Sequence, residues 1–157
     1  MGKKLVVYLS YSGVTKKLAQ EIARQTGAEL RELIPEKPYA FDYNTAVKEA
    51  RGEIERGFCP RLASGVEPIG DYDTVFIGSP NWLKHLAPPV LSFLRQAALS
   101  GKTIAPFCTH GGGGFGKMTE DIGKECPQSV VLPGLAAKYG FSADAVADWL
   151  KETGLLV

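Results

Sequence analysis

The sequence predicts an α/β fold of three layers, doubly wound around a five-stranded parallel sheet. Three observations predict it. Apolar runs of strand length recur at residues 5–9, 28–34, 74–77, 103–108 and 130–132, and short continuous apolar runs are the pattern of strands buried on both faces. The stretches between them carry helical periodicity, so strand and helix alternate, and helical crossovers between successive strands imply parallel pairing. The chain has 157 residues, 45% of them hydrophobic, which suits one packed domain spanning 1–157.

After the first strand, Val14, Leu18, Ile22 and Ala23 fall on one helical face while Lys16, Lys17, Gln20, Glu21 and Arg24 lie elsewhere. This is a helix half-buried on a sheet, and Gly27 is its stop signal. Residues 35–68 separate the second and third strands and are too long for a bare loop. A helix at 45–56 is read as the crossover there, with a lead-in carrying Tyr39, Phe41 and Tyr43 that covers one end of the sheet. Residues 87–99 and 143–150 read as further helices, with Pro88 and Pro89 suited to a first turn and Ser142 to an N-cap. No repeat, low-complexity tract or second domain is visible.

Composition narrows the function classes. Eighteen Lys and Arg against seventeen Asp and Glu leave a net charge of +1, so no long-range field favours nucleic acid or an acidic membrane surface. Met1-Gly2-Lys3-Lys4 runs directly into residues 5–9, an apolar segment too short for a signal-peptide core or a membrane span. The motif for N-myristoylation is also missing, since Lys3-Lys4-Leu5-Val6 offers no Ser or Thr. A cytoplasmic protein is expected. Cys59, Cys108 and Cys126 are odd in number and widely spaced, which fits free, mostly buried thiols better than a disulfide framework. With His85 and His110 as the only histidines, no metal site is expected.

In an open α/β sheet, ligands bind outside the carboxyl ends of the strands. Three loops stand there. The first holds Ser10, Tyr11, Ser12, Gly13, Val14 and Thr15 between a strand and a helix. Hydroxyls, a glycine and the free N–H groups of a helix N-terminus make an anion cradle suited to a phosphate monoester. The same residue types also build an ordinary N-cap. A triphosphate P-loop ending and the three-glycine dinucleotide fingerprint are both absent. The second loop, Gly78 to Pro89, holds Pro80, Asn81 and Trp82, and its indole is either a platform for a flat heterocycle or a plug closing the end of a helix. The third, Thr109 to Gly116, has four consecutive glycines, Gly111 to Gly114. Such a run suits a backbone that approaches a ligand closely or moves around it, and a flexible linker is the alternative.

Ser10-x-Ser12-Gly13-x-Thr15-Lys16-Lys17, Gly78-Ser79-Pro80-Asn81-Trp82 and Phe107-Cys108-Thr109-His110-Gly111-Gly112 together resemble the three flavin mononucleotide (FMN) loops of the flavodoxin family, in its flavodoxin-like branch with a Trp in the second loop. The resemblance extends over nearly the whole chain, taking in Tyr72-Asp73, Gly101-Lys102-Thr103 and Trp149-Leu150. It implies a flavodoxin-like fold with FMN as cofactor, Ser10, Ser12, Gly13, Val14 and Thr15 holding the phosphate, Pro80, Asn81 and Trp82 flanking the ring, and Thr109, His110, Gly111, Gly112 and Gly113 meeting its other side. No residue acts as an acid–base catalyst in that reading; the flavin carries the chemistry.

Two departures stand out. Leu83, Lys84 and His85 follow Trp82 where relatives often have a second Trp and small residues; Lys84 or His85 either favours negative charge on the ring or points into water. Electron-shuttling flavodoxins are also generally acidic. The resemblance implies low-potential electron transfer with a redox partner protein. A small FMN-dependent NAD(P)H:quinone-type reductase acting on an aromatic or quinone substrate is the alternative, as monomer or homodimer, and a cofactor-free regulatory module on the same fold is a third class.

Overall fold

The structure, a computed structural model, describes residues 2–138 and 140–156. Met1, Tyr139 and Val157, which the 1–157 domain reading includes, lie outside the described residues. The elements run β1 (Lys3–Tyr8), α1 (Val14–Thr26), β2 (Glu29–Glu32), β3 (Ile34–Pro35), α2 (Tyr43–Arg56), β4 (Leu62–Ser64), β5 (Tyr72–Pro80), α3 (Pro88–Gln96), β6 (Thr103–His110), α4 (Met118–Glu125), β7 (Val130–Val131), β8 (Leu135–Lys138) and α5 (Ala143–Glu152). The main sheet is parallel throughout, in the order β2-β1-β5-β6, with β7 and β8 in succession on the outer edge of β6. β7 and β8 make up the fifth strand, so the predicted three-layer, five-stranded α/β architecture is the one observed.

Alternation along the strands sorts the side chains into two cores. Leu5, Val7, Val75, Ile77 and Ile104 point to one face, where they meet Ala50 of α2, Val90 and Phe93 of α3, and Met118 and Ile122 of α4. Val6, Phe76, Ala105 and Phe107 point to the other, against Leu18 and Ile22 of α1 and Val146, Trp149 and Leu150 of α5. Both faces are therefore covered, which is why these strands read as unbroken apolar runs rather than alternating ones.

Several boundaries differ from the sequence reading, each for a local reason. The predicted strand 28–34 leaves the sheet after Leu33, whose N–H still donates to the Tyr8 carbonyl at 2.8 Å. Pro35 has no N–H for a ladder, and Ile34–Pro35 instead pairs antiparallel with β4 as a small separate ribbon. The predicted strand 130–132 is only the first part of the fifth strand. The ladder stops after Leu132, whose N–H reaches Ile104 O at 2.9 Å, because Pro133 again lacks a donor, and pairing resumes at Leu135. α3 ends at Gln96, with Ala97 already extended. All three cysteines are free thiols, Cys108 and Cys126 buried and Cys59 partly so. Among the described residues no helix is long and apolar enough to cross a membrane.

The chain winds outward from β1 to β2, then returns to the other side of β1 for β5, β6 and the fifth strand. At such a reversal neighbouring connections leave in opposite directions and open a crevice at the carboxyl ends. Gly78 lets β5 and β6 lie close at that end: a Cβ there would fall 2.1 Å from the Phe107 ring. Gly78→Ala is expected to destabilise the fold by about 3 kcal/mol through overpacking. Urea unfolding checks it by a lower midpoint at unchanged slope.

Candidate functional site

The first loop is shaped from within. Ser10 Oγ accepts hydrogen bonds from the N–H groups of Gly13 at 3.1 Å and Lys16 at 3.2 Å, drawing the chain into a tight turn before α1. Gly13, the N-cap, has φ of 97°, a left-handed conformation that side chains resist. The space where its Cβ would stand is open, with nothing within 4 Å. Gly13 has no side chain with which to cap α1, Ser10 Oγ takes up the Lys16 N–H but not those of Val14 and Thr15, and the first turn contains no acidic residue. The N–H groups of Val14 and Thr15 have no helical acceptor, and the positive end of the helix dipole is unopposed there.

Buried hydroxyls and one amide lock the three loops together. Thr15 Oγ1 and Thr109 Oγ1 are 2.7 Å apart and buried, tying α1 to the end of β6. Asn81 is the staple between the second and third loops. Its N–H donates to Thr109 O at 2.9 Å, its Nδ2 donates to Gly114 O at 2.6 Å, and its Oδ1 accepts from Lys84 N at 2.9 Å. Buried Ser79 completes the second loop, its Oγ donating to Pro80 O and accepting from Ala87 N. Under the glycine run, the Cys108 thiol donates to Gly114 O at 3.6 Å. Burial pushes its pKa up to about 12, so at neutral pH it is a protonated donor. His110 Nδ1 accepts the Gly112 N–H at 3.0 Å, which orders a stretch otherwise rich in backbone freedom.

Trp82 and His85 exchange backbone hydrogen bonds of 3.2 and 3.0 Å around Leu83 and Lys84. Those two residues have φ of 58° and 71°, the conformation of a tight primed turn that normally takes Asn or Gly. The turn holds the indole inward. Trp82 is 2% exposed and meets the rings of Tyr11 (5.7 Å, 71°) and Tyr39 (5.0 Å, 90°) edge to face. Together the loops enclose a cavity of about 340 Å³ lined by Tyr11, Ser12, Val14, Thr15, Tyr43, Pro80, Asn81, Trp82, Thr109, His110 and Gly111.

The sequence profile of a family described as Flavodoxin matches residues 3–153. The chain belongs to the flavodoxin family. Among solved structures, a candidate flavoprotein from Bacteroides eggerthii DSM 20697 is 27% identical with a TM-score of 0.86, over 98% of this chain and 99% of that one. A flavoprotein from Lactobacillus acidophilus NCFM, solved in complex with FMN, is 26% identical with a TM-score of 0.74, over 95% and 99% of the two chains. Flavodoxin 2 from Bacillus cereus shares the fold at 18% identity and a TM-score of 0.60, over 98% and 96%. No curated protein matches the chain.

In this flavodoxin the residues singled out from sequence converge on one place. Ser12, Val14, Thr15, Pro80, Asn81, Trp82, Thr109, His110 and Gly111 line the same cavity. Ser10 and Gly13 shape the turn behind it, while Gly112 and Gly113 lie exposed further along the third loop. Of the residues after Trp82 that depart from the relatives' pattern, Lys84 is exposed and His85 turns away, its Nδ1 3.0 Å from Asp121 Oδ2 on α4. Two wall residues were not anticipated. Tyr11 stands between the loops with its hydroxyl bonded to the carbonyls of Ala40 and Phe41, and Tyr43 enters from the start of α2, its ring centroid 6.0 Å from that of Tyr11. The signal for Tyr11 was its place in the first loop, between Ser10 and Ser12, and that for Tyr43 was the aromatic run Tyr39, Phe41, Tyr43, which reaches the site because the lead-in folds over the first loop.

Proposed function

We propose that this flavodoxin binds one FMN, its phosphate at the N-terminus of α1, and serves in electron transfer. The observation that carries the reading is the carboxylate-free end of α1, with the Val14 and Thr15 N–H groups taken by no side chain, opening into a cavity shared by all three loops. The donor set fits the group. A phosphate needs N–H donors, hydroxyls and room, supplied by Val14 and Thr15, by Ser12 and Thr15, and by the empty space beside Gly13. A flat ring needs apolar walls, supplied by Tyr11, Tyr43, Pro80 and Trp82, and polar backbone at its edge, supplied by His110 and Gly111. When bound, FMN supplies the redox chemistry, and the protein sets its potential through contacts and exclusion of water. The Lactobacillus relative solved with FMN supports the same choice of cofactor.

Among the described residues, the side chains lining the cavity include no carboxylate and one imidazole, His110. That scarcity of acid–base groups favours a carrier over an enzyme that must move substrate protons. Free thiols suit a reducing, cytoplasmic setting, and the two cores packed on one sheet support a single domain over 1–157. Potentiometric titration of the flavin-loaded protein tests the role. A carrier is reduced in two resolved one-electron waves and turns over NAD(P)H with a quinone negligibly. A single two-electron wave with rapid turnover contradicts the assignment.

A further inference from the structure

A second cleft lies on the other side of Tyr11, between the first loop and residues 32–41. Its volume is about 700 Å³, within the range of small-molecule sites. Four rings line it, Tyr11, Tyr39, Phe41 and Trp82, together with the Glu32 carboxylate, and no Lys, Arg or His does. The faces of aromatic rings carry negative potential and attract cations. Among the described residues Glu32 enters no ion pair. Of the cations beside it in the chain, Arg31 is turned to Glu67 and the Tyr72 ring, and Lys37 lines a different hollow.

The backbone adds to this surplus of acceptors. Tyr11 Oη lies 2.5 Å from the Ala40 carbonyl oxygen and 2.7 Å from that of Phe41, and a phenol has one proton to give. Two carbonyls therefore share a single donor, between three residues that all line the cleft. Ser10 Oγ, on the same wall, is already taken by the N–H groups of Gly13 and Lys16. An anion would be desolvated here beside a like charge, and a neutral molecule would leave Glu32 unanswered. A cation with N–H donors and an apolar body suits both the carboxylate and the apolar walls, which Leu9, Leu33, Ile34 and Pro38 complete. The frame is held before any ligand arrives. The Ala40 N–H donates to Glu49 Oε1 at 3.0 Å, Tyr39 Oη donates to Glu53 Oε1 at 2.5 Å, and Pro35 and Pro38 stiffen the stretch by fixing φ. At the rim Phe41 stands wholly in water, 106% exposed, with its ring unoccupied by any packing partner.

We propose that this cleft is a binding site for a small organic ammonium ion, its N–H groups toward Glu32 and its apolar body among the four rings. Tyr11, Ser12 and Trp82 also line the first cavity, so the test is made with that cavity filled. The FMN-loaded protein is titrated with 2-phenylethylammonium, and with 2-phenylethanol and 3-phenylpropionate as neutral and anionic counterparts of similar shape, followed by amide NMR shifts and the visible flavin spectrum. Saturable shifts centred on residues 32–41 with the ammonium, the flavin retained, are the expected result, with the alcohol at least about 10-fold weaker and the carboxylate not saturating. Glu32→Gln should weaken the ammonium about 10-fold, equivalent to ~1.4 kcal/mol, and leave the alcohol within about twofold, a separation that a loosened fold would not produce. Phe41→Ala should weaken the ammonium about threefold. Equal affinity for ammonium and alcohol would overturn the proposal, because the cleft would then select for apolar area and not for charge. Displacement of FMN by the ammonium, shifts confined to residues 109–114, or no saturable binding would also overturn it. If the chain takes up no FMN while the ammonium binds at residues 32–41 with the same loss in Glu32→Gln, the flavin reading fails and the cleft assignment stands.

Discussion

Gly13→Asp is expected to weaken FMN binding at least about 100-fold, close to 3 kcal/mol. Gly13 is the N-cap of α1, and the position of its missing Cβ faces open space. A carboxylate built there competes for the free N–H groups of Val14 and Thr15 and repels a phosphate that would share them. Asp is the informative replacement because short polar side chains tolerate a φ of 97° better than others, so the fold survives the change. Gly13→Asn supplies the same shape without the charge. Flavin fluorescence titrations of the three proteins separate the effects. Asp should be far weaker than Asn, and Asn only moderately weaker than Gly. Equal losses for Asp and Asn would mean that shape alone, and not anion binding, governs the loop.

Trp82→Ala is expected to have the largest effect on stability, about 3–5 kcal/mol. The indole is 2% exposed and packs edge-on against Tyr11 and Tyr39, so its removal leaves a cavity between the first loop and the lead-in that neither ring can fill without losing its own hydrogen bond. In a chain of this size the melting temperature should fall by roughly 10–15 °C. Trp82→Phe, which keeps most of the apolar contact, should lose less than half as much. Calorimetry of both variants without flavin measures this without interference from ligand binding. A loss under about 1 kcal/mol for Trp82→Ala would show that the side chain is a surface platform and not part of the core.

What could be read from the sequence was local. The helix stop at Gly27 is a left-handed cap whose N–H donates to Ala23 O. Ser142 caps α5 by accepting from Ala145 N at 3.0 Å, and Pro88 opens α3. Each is decided by its own residue and the next few. The hydroxyl–glycine loop before α1 was legible for the same reason. The features that escaped depend on partners distant in the chain. α4 buries only Met118 and Ile122, a stripe too short to stand out beside the glycine run. β8, Leu135–Lys138, has no strand-like apolar run of its own and is a strand because β6 offers it an edge. The inward role of Ser10 was not legible, since turn geometry decides it, and the aromatic run Tyr39, Phe41, Tyr43 marked a cover for one end of the sheet without showing that Tyr43 docks beside Tyr11.

A phosphate held by the first turn of α1 is what distinguishes an FMN site here from a site for the bare flavin ring. Comparing FMN with riboflavin on the purified, flavin-free protein isolates that phosphate, because the ring and its walls are common to both ligands. FMN is expected to bind at one equivalent per chain and at least about 100-fold more tightly than riboflavin, a difference near 3 kcal/mol for the phosphate alone. Equal affinity for the two, or no saturable binding of FMN, would contradict a phosphate site at that turn.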